Sequence, residues 1–518
     1  MNNDNKNLTN SAINGFKWNF LSVIVVATVQ IGYAAIMARL IAPEAFGLVA
    51  MANVILRFGT YFSRMGIGSA IIQKKELTDD DTQAAFTAAL VFGLAVTLLI
   101  IICAPLGKLI FNDEQVVPVV RVMATTLFIT GISTTANSLL RRAFRFKEIA
   151  IAEITSFILG AGGVGFAMAY LGFGTWSLIF SSIAQGIILA LICYAYSRHS
   201  LKLTFDLNKY KPILAFGSKI SIISFLEFVC YNLDSMVIGR IAGAEMLGYY
   251  NRANYLVNTP ANKISTSLTN VLFPSLSRLQ GNKEKLRKAY TSTISVLGTF
   301  LFIYAFAVSA ASHEIILVIL GHHWAPAIPL LSVLAIAVPF SLLKSINGIL
   351  LEATAKLNFK IIVLTAYLIT LILIFIAFFP LMGVVGFAWA YFSCEFIYYF
   401  VYLIFIIRML EFKIEEIIKL NLSIFVAGVV SFLVIYFSRA ILTQWNMGNI
   451  SLLLFDLLIS LVMLLLFYYI APSKIVRNSV SNILFSSQSN IQFLNHLIER
   501  LKRRYQALSQ KQYFEVFK

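Results

Sequence analysis

Six ionisable side chains lie deep inside long apolar stretches of this 518-residue chain. Three of them are basic and three are acidic: Arg57, Arg64, Lys263, Glu227, Asp234 and Glu395. A charged side chain at the centre of a bilayer costs at least about 2.5–3.5 kcal/mol on insertion scales, so such a residue faces protein or water and usually has a function. The set predicts two kinds of chemistry, the binding of an anion by the basic residues and the uptake of a coupling cation by the acidic ones.

The basic residues suit a ligand that carries phosphate. A guanidinium group binds phosphate oxygens through two parallel hydrogen bonds. Arg64 follows Arg57 by seven residues and therefore lies on the same face of a helix. We predict that Arg57, Arg64 and Lys263 bind the substrate on the wall of a cavity. The alternative is that they pair with Glu227 or Glu395 and hold helices together.

The acidic residues are candidates for ion coupling. A desolvated carboxylate takes up a proton near neutral pH, and a carboxylate also ligates sodium. Glu227 and Asp234 are seven residues apart on one helix face, and Glu395 is central in another apolar stretch. A fixed salt bridge is the alternative for each of the three. Apart from H+ or Na+, no cofactor is predicted, and the four cysteines form no CxxC pair that would indicate a metal site.

Two prolines lie near the centres of apolar stretches. Pro260 and Pro339 each remove a backbone donor and bend a helix. Such a bend forms a hinge or exposes a carbonyl group to a cavity. Both prolines are therefore hinge candidates, with a static kink as the alternative.

The elements that must position these residues are membrane-spanning helices. Hydrophobic residues make up 59% of the chain, against about 45–50% in a soluble domain. This composition excludes a soluble enzyme, a disordered chain and a secreted disulfide scaffold, and the long apolar stretches argue against nucleic-acid binding. A span needs about 20 mostly apolar residues. The predicted fold is an all-α integral membrane protein with about 14 transmembrane helices, near 15–38, 46–72, 84–105, 117–140, 150–171, 174–197, 213–239, 247–273, 290–311, 328–350, 360–380, 384–407, 420–438 and 450–470.

The basic residues predict the orientation of these helices, because Lys and Arg are enriched in cytoplasmic loops. With the N-terminus inside, thirty of the 41 fall in cytoplasmic loops and tails, five in outer loops and six within spans. Most of the formal charge of +17 therefore reflects orientation, and both termini are predicted to be cytoplasmic. Besides the three candidates above, the basic residues within spans are Lys219, Arg252 and Lys344. Snorkelling explains Lys219 and Lys344 nearly as well as a function does.

An internal repeat relates the two halves of the chain. Residues 39–53 (RLIAPEAFGLVAMAN) and 240–254 (RIAGAEMLGYYNRAN) share five identical positions at a constant offset of 201. Both stretches join the first and second helix of a six-helix block, so the two copies have the same orientation. Parallel halves of this kind are typical of alternating-access carriers. The predicted domains are two six-helix bundles, two additional transmembrane helices and a tail: 1–197, 198–412, 413–472 and 473–518.

The tail and two loops carry further signals. The tail is basic and amphipathic, which predicts a helix on the inner leaflet, with binding to a glycan-assembly partner as the alternative. Thr78 with Asp79 is predicted to cap the helix that follows. The GHHW stretch at 321–324 is predicted to lie at the outer membrane interface beside Trp324 and not to bind a metal.

Several segments in and around the repeat carry a family resemblance. They are Trp18, ARLIAPEAFGLVAMAN (38–53), RMGIGSAIIQKKELT (64–78), Asn232-Leu-Asp234, IGRIAGAEMLGYYNRAN (238–254) and VLFPSLSRLQ (271–280). Over roughly residues 12–410 the chain resembles the Wzx-type polysaccharide flippases, a branch of the multidrug/oligosaccharidyl-lipid/polysaccharide exporter superfamily. The resemblance fades over the last two spans and the tail.

The resemblance implies two six-helix bundles facing a central cavity. It also implies transport of an undecaprenyl-diphosphate-linked oligosaccharide to the outer leaflet of a bacterial inner membrane, without covalent chemistry. The implied partners are the anionic lipid-linked glycan, the bilayer and glycan polymerase or assembly proteins, and the NLD setting points to Asp234.

Two alternatives stay open. A drug or cation exporter of the same superfamily would need an acidic cavity, whereas the excess of charge within the spans is basic. A membrane glycan polymerase or transferase would need a large outer loop. The longest predicted outer loop, 312–327, has only about sixteen residues and one carboxylate.

Overall fold

The computed structural model describes residues 29–64, 67–74, 77–204, 228–262, 282–353, 357–442 and 447–470. Within these ranges all regular structure is helical and no strand occurs. Nine of the helices described there are long and apolar enough to cross a membrane. The prediction of an all-α, multi-pass membrane protein is confirmed. A helix satisfies its backbone donors and acceptors internally, as the core of a bilayer requires.

The helices follow one another through short connections. They are α1 (Val29–Leu40), α2 (Pro43–Arg64), α3 (Ile67–Gln73), α4 (Asp79–Cys103), α5 (Leu106–Phe111), α6 (Val116–Met123), α7 (Thr125–Arg142), α8 (Phe146–Ser156), α9 (Phe166–Tyr170), α10 (Thr175–Ser197), α11 (228–262, interrupted at Gly243, where φ is 80°), α12 (Lys283–Ala310), α13 (Ser312–Ile315), α14 (Ile328–Ala353), α15 (Leu357–Leu410), α16 (Ile414–Leu442) and α17 (Asn449–Ile470). A π-helical segment, Phe157–Gly165, joins α8 to α9, and a 3-10 segment, His322–Ala327, precedes α14.

Each predicted span overlaps helical residues in the described ranges. α15 covers two predicted spans, which meet at Gly383. This residue has φ 57° and ψ −136°, a conformation that favours glycine and turns the chain between two helices. The count of fourteen spans stays a prediction, because parts of the first, seventh and eighth lie outside the described residues.

Polar caps begin α4 and α12. The Thr78 hydroxyl accepts a hydrogen bond from the Asp81 amide at 3.2 Å, and the Asp81 carboxylate accepts one from the Thr78 amide at 3.0 Å. This reciprocal arrangement satisfies two backbone donors that the helix leaves free. It confirms the cap at Thr78, with Asp81 instead of Asp79 as its partner. Asn282 caps α12 by accepting from the Lys285 amide at 3.0 Å.

The chain divides into two compact units. The first comprises Met1–Thr259, Ile319–Ala327 and Ile361–Phe387, and the second comprises Pro260–Val318, Ile328–Lys360 and Ala388–Lys518. In the first unit, α7 packs against α4 and α10, and α2 packs against α4 and α6. In the second unit, α12 packs against α14, α16 and α17. The predicted domain boundaries stay a prediction.

Loop contacts in the first unit join segments that the charge pattern places on the same side of the membrane. Arg142 donates a hydrogen bond to the Ile71 carbonyl at 2.7 Å, and both residues belong to predicted cytoplasmic ends. Arg240 donates to the Leu109 carbonyl, and both belong to predicted outer ends. These contacts agree with the predicted order of the loops. Which side faces the cytoplasm stays a prediction.

Candidate functional site

The two copies of the repeat contact each other directly in the first unit. A methyl group at Gly47 on α2 would lie 2.5 Å from the Ala244 carbonyl carbon and still nearer its oxygen. A methyl group at Gly248 on α11 would lie 2.8 Å from the Pro43 carbonyl carbon and again nearer the oxygen. Pro43 and Ala244 are separated by 201 residues, and so are Gly47 and Gly248. The crossing is therefore reciprocal, and glycine is needed at both contact points.

We expect Gly47→Ala and Gly248→Ala each to lower the midpoint of thermal unfolding. Overpacking costs about 1–3 kcal/mol, and the obstacle here is backbone that cannot rotate away. The double variant should lose less than the sum of the two, because separating the helices for one methyl group makes room for the other.

Gly32→Ala in α1 is the matched control for these variants, since nothing lies within 4 Å of a methyl group there. Alanine in a helix interior is about 0.5–1 kcal/mol more stable than glycine, so this control should keep or raise the midpoint. Strictly additive losses at Gly47 and Gly248 would argue against a reciprocal crossing.

A buried tryptophan lies beside this crossing. Trp324 is 0% exposed, and its indole Nε1 donates to the Ala38 carbonyl at 2.7 Å. Its ring packs edge-on against Phe46 and Tyr249, with centroids 5.4 and 5.7 Å apart. The 3-10 segment turns the Trp324 ring into the protein, and the position of this stretch at the outer membrane interface stays a prediction. The preceding residue, His323, is exposed.

One predicted substrate residue and one predicted coupling residue lie close together in the first unit. Arg57 on α2 is exposed, and its guanidinium is within electrostatic range of the buried Asp234 carboxylate on α11. The neighbouring rings of Phe58 and Phe228 hold the two helices in contact, with centroids 5.8 Å apart. The structure therefore places the cation of the predicted anion site within electrostatic range of a carboxylate of the predicted ion site.

Asp234 is held by neutral donors. The Tyr250 hydroxyl donates to Oδ2 at 2.8 Å, and the Ser235 amide donates to Oδ1 at 2.6 Å. No basic side chain in the described ranges forms a close ion pair with Asp234. A carboxylate that is contacted only by neutral donors can exchange a proton or a metal cation more readily than a carboxylate in a close salt bridge.

Glu395 forms a close ion pair in the second unit. Lys344 Nζ lies 2.7 Å from Glu395 Oε2, and the two side chains are 15% and 1% exposed. The structure thus pairs Glu395 with Lys344, whose position within a span is explained nearly as well by snorkelling as by a function. This is the arrangement named as the alternative for Glu395, and its part in ion coupling stays a prediction.

We expect Lys344→Met to lower the midpoint of thermal unfolding more than the double variant Lys344→Met/Glu395→Gln. Removing one partner of a buried pair costs about 3–5 kcal/mol, because it leaves an uncompensated charge, whereas removing both costs little. Lys288→Met is the control, since the Lys288–Glu284 pair is mostly exposed and such pairs contribute about 0–1 kcal/mol. Equal losses in the single and double variants would contradict a buried ionic pair.

The other predicted residues are the two prolines, which the structure describes, and charged residues whose side chains it does not describe. Pro260 lies within α11 and Pro339 is buried within α14, and both helices continue past the proline. The hinge role of each stays a prediction. Arg64 ends α2, and its side chain is not among the described ones. Lys263 and Glu227, together with Lys219, lie outside the described residues.

A buried ionic cluster in the second unit was missed from the sequence. Arg439 at the end of α16 donates to Asp456 Oδ2 of α17 at 2.6 Å, to Glu314 of α13 and to the Ala310 carbonyl. Asp456 is 2% exposed. Asp456 could have been identified from the sequence, because it is the only acid in the last apolar stretch. Arg439 was counted among the five basic residues of the outer loops, so no role inside the membrane was assigned to it.

Arg252 is a second residue to which the sequence assigned no role. It lies on α11, and its guanidinium lies over the ring of Phe46, 4.0 Å from the centroid. Its Nε atom is buried and has no hydrogen-bond partner in the described ranges. No group of three or more His, Cys, Asp or Glu side chains in the same ranges is placed to hold a metal ion.

Comparison with known proteins identifies the family. The family model described as "Polysaccharide biosynthesis protein" matches residues 36–329. The lipopolysaccharide biosynthesis protein WzxC of Escherichia coli (strain K12) is 25% identical over 372 residues, which cover 70% of this chain and 74% of WzxC. The succinoglycan biosynthesis transport protein ExoT of Rhizobium meliloti (strain 1021) is 26% identical over 321 residues, which cover 62% of this chain and 65% of ExoT.

The fold has a solved counterpart in the lipid II flippase MurJ, in its inward closed conformation. The TM-score is 0.68, and the match covers 88% of this chain and 98% of MurJ at 16% identity. At that identity the likeness shows the fold alone. The family match spans more than half of the chain and includes both copies of the repeat. The chain therefore belongs to the polysaccharide biosynthesis protein family.

Proposed function

We propose that the chain moves an undecaprenyl-diphosphate-linked oligosaccharide from the cytoplasmic to the outer leaflet of a bacterial inner membrane, by alternating access, for export of a surface polysaccharide. The observation that carries the proposal is Arg57, an exposed cation inside a membrane-length helix. It forms no hydrogen bond or close ion pair in the described ranges. By their names, WzxC and ExoT take part in polysaccharide biosynthesis and transport, and MurJ is a flippase of lipid II.

The geometry around Arg57 suits a diphosphate. A guanidinium group has five N–H donors in a rigid fork, and none of these is used by the described part of the chain. Asp234 lies within electrostatic range but is satisfied by Tyr250 and Ser235. The donors of Arg57 therefore stay available for the oxygens of a diphosphate, which pairs well with a planar fork.

The same residues argue against a drug or cation exporter. Such a carrier needs carboxylates that face its cargo. Here Asp234 and Glu395 are buried, and Glu395 is paired with Lys344. Arg57 is exposed instead, and an exposed arginine repels a cationic drug. For a glycan polymerase or transferase, the acidic and basic groups at the predicted outer ends, Glu314, Arg439 and Asp456, are buried and paired with one another, so a flippase without covalent chemistry is the better match.

We further propose that H+ or Na+ couples to transport through Asp234, with Glu395 and Glu227 as the other candidates. Arg57 carries a positive charge within electrostatic range of the Asp234 carboxylate. An anionic substrate that binds Arg57 neutralises part of this positive charge and so favours uptake of a cation at Asp234. Binding of substrate and binding of the coupling ion would thus support each other at one place in the first unit.

Deletion of the gene tests the proposed function in the cell. We expect the lipid-linked oligosaccharide to accumulate on the cytoplasmic face and the surface polysaccharide to fall, in a host without a second flippase for the same glycan. Reporter fusions at both termini test the predicted cytoplasmic location, and crosslinking to a glycan polymerase tests the proposed partner. Unchanged surface polysaccharide with no accumulated intermediate would contradict the proposal.

A further inference from the structure

The hairpin between α7 and α8 holds an aromatic residue in an unfavourable backbone conformation. α7 ends in a Schellman motif, in which the Phe144 amide donates to the Arg141 carbonyl at 3.1 Å and the Arg145 amide donates to the Leu140 carbonyl at 2.9 Å. Phe144 occupies the left-handed position of this motif, with φ 56°. Glycine is usual there, because a Cβ atom comes too close to the following carbonyl oxygen. The other non-glycine residues with positive φ in the described ranges are polar or charged: Asn112, Arg198 and Glu411.

The Phe144 side chain contributes little to the core of the protein. It is 53% exposed, and its ring packs edge-on against that of Phe146, with centroids 6.1 Å apart. Strained backbone positions of this kind concentrate where function requires a particular side chain. The strain at Phe144 therefore indicates a role for its ring outside the packed interior.

The hairpin lies at the surface of the bilayer. Only residues 143–145 separate two helices of membrane length, Val116–Arg142 and Phe146–Tyr170. A connection this short between two spans lies where the hydrocarbon core meets the headgroups. The exposed ring of Phe144 is thus next to lipid, and the charge pattern places this hairpin on the cytoplasmic side.

Two arginines of the hairpin hold it against its neighbours. Arg142 donates to a carbonyl near the end of α3 at 2.7 Å, and Arg145 donates to a carbonyl near the end of α10 at 3.0 Å. Glu148 is the only carboxylate of residues 141–148, and it pairs with Arg145 at 3.1 Å. These contacts fix the tip of the hairpin and neutralise its one acid.

Two exposed cations flank the aromatic tip. They are Arg141 and Lys147, one on each side of Phe144 along the chain. An apolar ring that enters the boundary between headgroups and acyl chains, with basic residues beside it, is a combination that binds anionic membrane surfaces. The hairpin therefore offers one apolar and two ionic contacts to a single lipid.

We propose that residues 141–147 bind an anionic phospholipid of the bilayer. Phe144 packs against the upper part of the acyl chains, and Arg141 and Lys147 pair with the headgroup phosphate. The ligand is a lipid of the membrane itself and not the transported glycan, so this inference is independent of the proposed function. It accounts for a phenylalanine at a position where glycine would be less strained.

Thermal unfolding of the purified full-length chain in a neutral detergent tests this site, because a ligand that binds the folded state raises the unfolding midpoint. The probes are phosphatidylglycerol, phosphatidylcholine with the same acyl chains, and inorganic diphosphate. We expect phosphatidylglycerol to raise the midpoint of the wild type and phosphatidylcholine to leave it unchanged. Any response to diphosphate should be the same in the wild type and in the hairpin variants, because the hairpin binds the whole lipid.

Two double variants test the charges of the hairpin. Arg141→Gln/Lys147→Gln should weaken binding of phosphatidylglycerol about 25-fold, since each basic residue near an anionic surface contributes about fivefold. Lys285→Gln/Lys288→Gln is the matched control, because it removes the same charge from two exposed positions on α12. The control should bind phosphatidylglycerol as the wild type does.

Phe144→Gly separates the role of the ring from that of the fold. Glycine relieves the left-handed conformation, so without lipid this variant should unfold at the midpoint of the wild type or above it. Its affinity for phosphatidylglycerol should nevertheless fall at least about fivefold, because the apolar contact is lost. Phe144→Asn, which also tolerates the left-handed region, replaces Phe144→Gly if that variant does not fold. A purely structural role predicts the reverse, a lower midpoint with unchanged lipid binding.

Three results would overturn the proposal. The first is equal stabilisation of the wild type by the anionic and the zwitterionic lipid. The second is an equal loss of binding in the α12 control, which would mean that only net charge matters. The third is a diphosphate response that falls together with the lipid response, which would mean that the hairpin binds phosphate without the lipid.

Discussion

Arg57→Met is expected to reduce export of the lipid-linked glycan about 30-fold or more while the amount of protein in the membrane stays normal. Truncating one partner of a desolvated charge pair costs about 2–5 kcal/mol, and 2 kcal/mol corresponds to about 30-fold. Arg57 is exposed and forms no close ion pair with the described residues, so its loss should leave packing intact. The measurement is the rate of surface polysaccharide formation, normalised to protein level.

Conservative and control variants separate charge from geometry at this position. Arg57→Lys keeps the charge but loses the planar fork, so its export rate should lie between those of the wild type and Arg57→Met. Arg64→Met is expected to behave like Arg57→Met, and Arg121→Met should export normally. Full export by the double variant Arg57→Met/Arg64→Met would remove the cationic site from the mechanism.

Arg439→Met is expected to destabilise the second unit by about 3–5 kcal/mol, because removing one partner from a buried ionic cluster leaves the remaining charges uncompensated. Arg439 is the shared partner of two acids, Glu314 and Asp456, whose side chains are 9% and 3% exposed. Without the arginine, the two carboxylates would face each other with their desolvation uncompensated. The measurement is the midpoint of thermal unfolding in detergent, together with protein level in the membrane.

A control variant and a variant without the three charges test whether the effect of Arg439→Met comes from the ionic cluster. Arg408→Met is the control, because Arg408 is exposed at the end of α15 in the same unit. The variant Arg439→Met/Glu314→Gln/Asp456→Asn should regain most of the lost stability, since it removes the charges together. An unchanged midpoint in Arg439→Met would mean that the cluster does not hold α16 and α17 against α13.

The helices could be predicted from the sequence, because apolar stretches of membrane length allow little else. Thr78 could be recognised as a cap from its local spacing, and Gly383 lies at the predicted short turn between two spans. These features depend on neighbours within a few residues. They need no knowledge of which helices pack together.

The contacts between distant segments could not be predicted. The repeat showed Gly47 and Gly248 to be equivalent, but identity at an offset does not say that the two glycines meet. Lys344 pairs with Glu395, 51 residues away, and the spacing along the chain does not predict this pair. Tryptophan is a residue type typical of membrane interfaces, but the Trp324 ring is buried in the protein because its segment folds back on Ala38.

The candidate site was predicted in part. Asp234 was selected by the NLD segment of the family resemblance and Arg57 by its depth within an apolar stretch, and the structure brings them within electrostatic range. Arg252 was visible by the same rule but received no role, because its lack of a partner appears only in three dimensions. Asp456 was overlooked although it is a lone acid in an apolar stretch.

The most direct test of the central claim is transbilayer movement in proteoliposomes that contain the purified full-length chain and an undecaprenyl-diphosphate-linked oligosaccharide. A membrane-impermeant glycosidase added outside reports how much oligosaccharide reaches the outer leaflet with time. A flippase predicts that nearly all of it becomes accessible with the wild-type chain. With Arg57→Met, only the fraction present in the outer leaflet at the start should be cleaved. An inner pool that stays protected in liposomes with the folded wild-type chain and its ion gradient would contradict the claim.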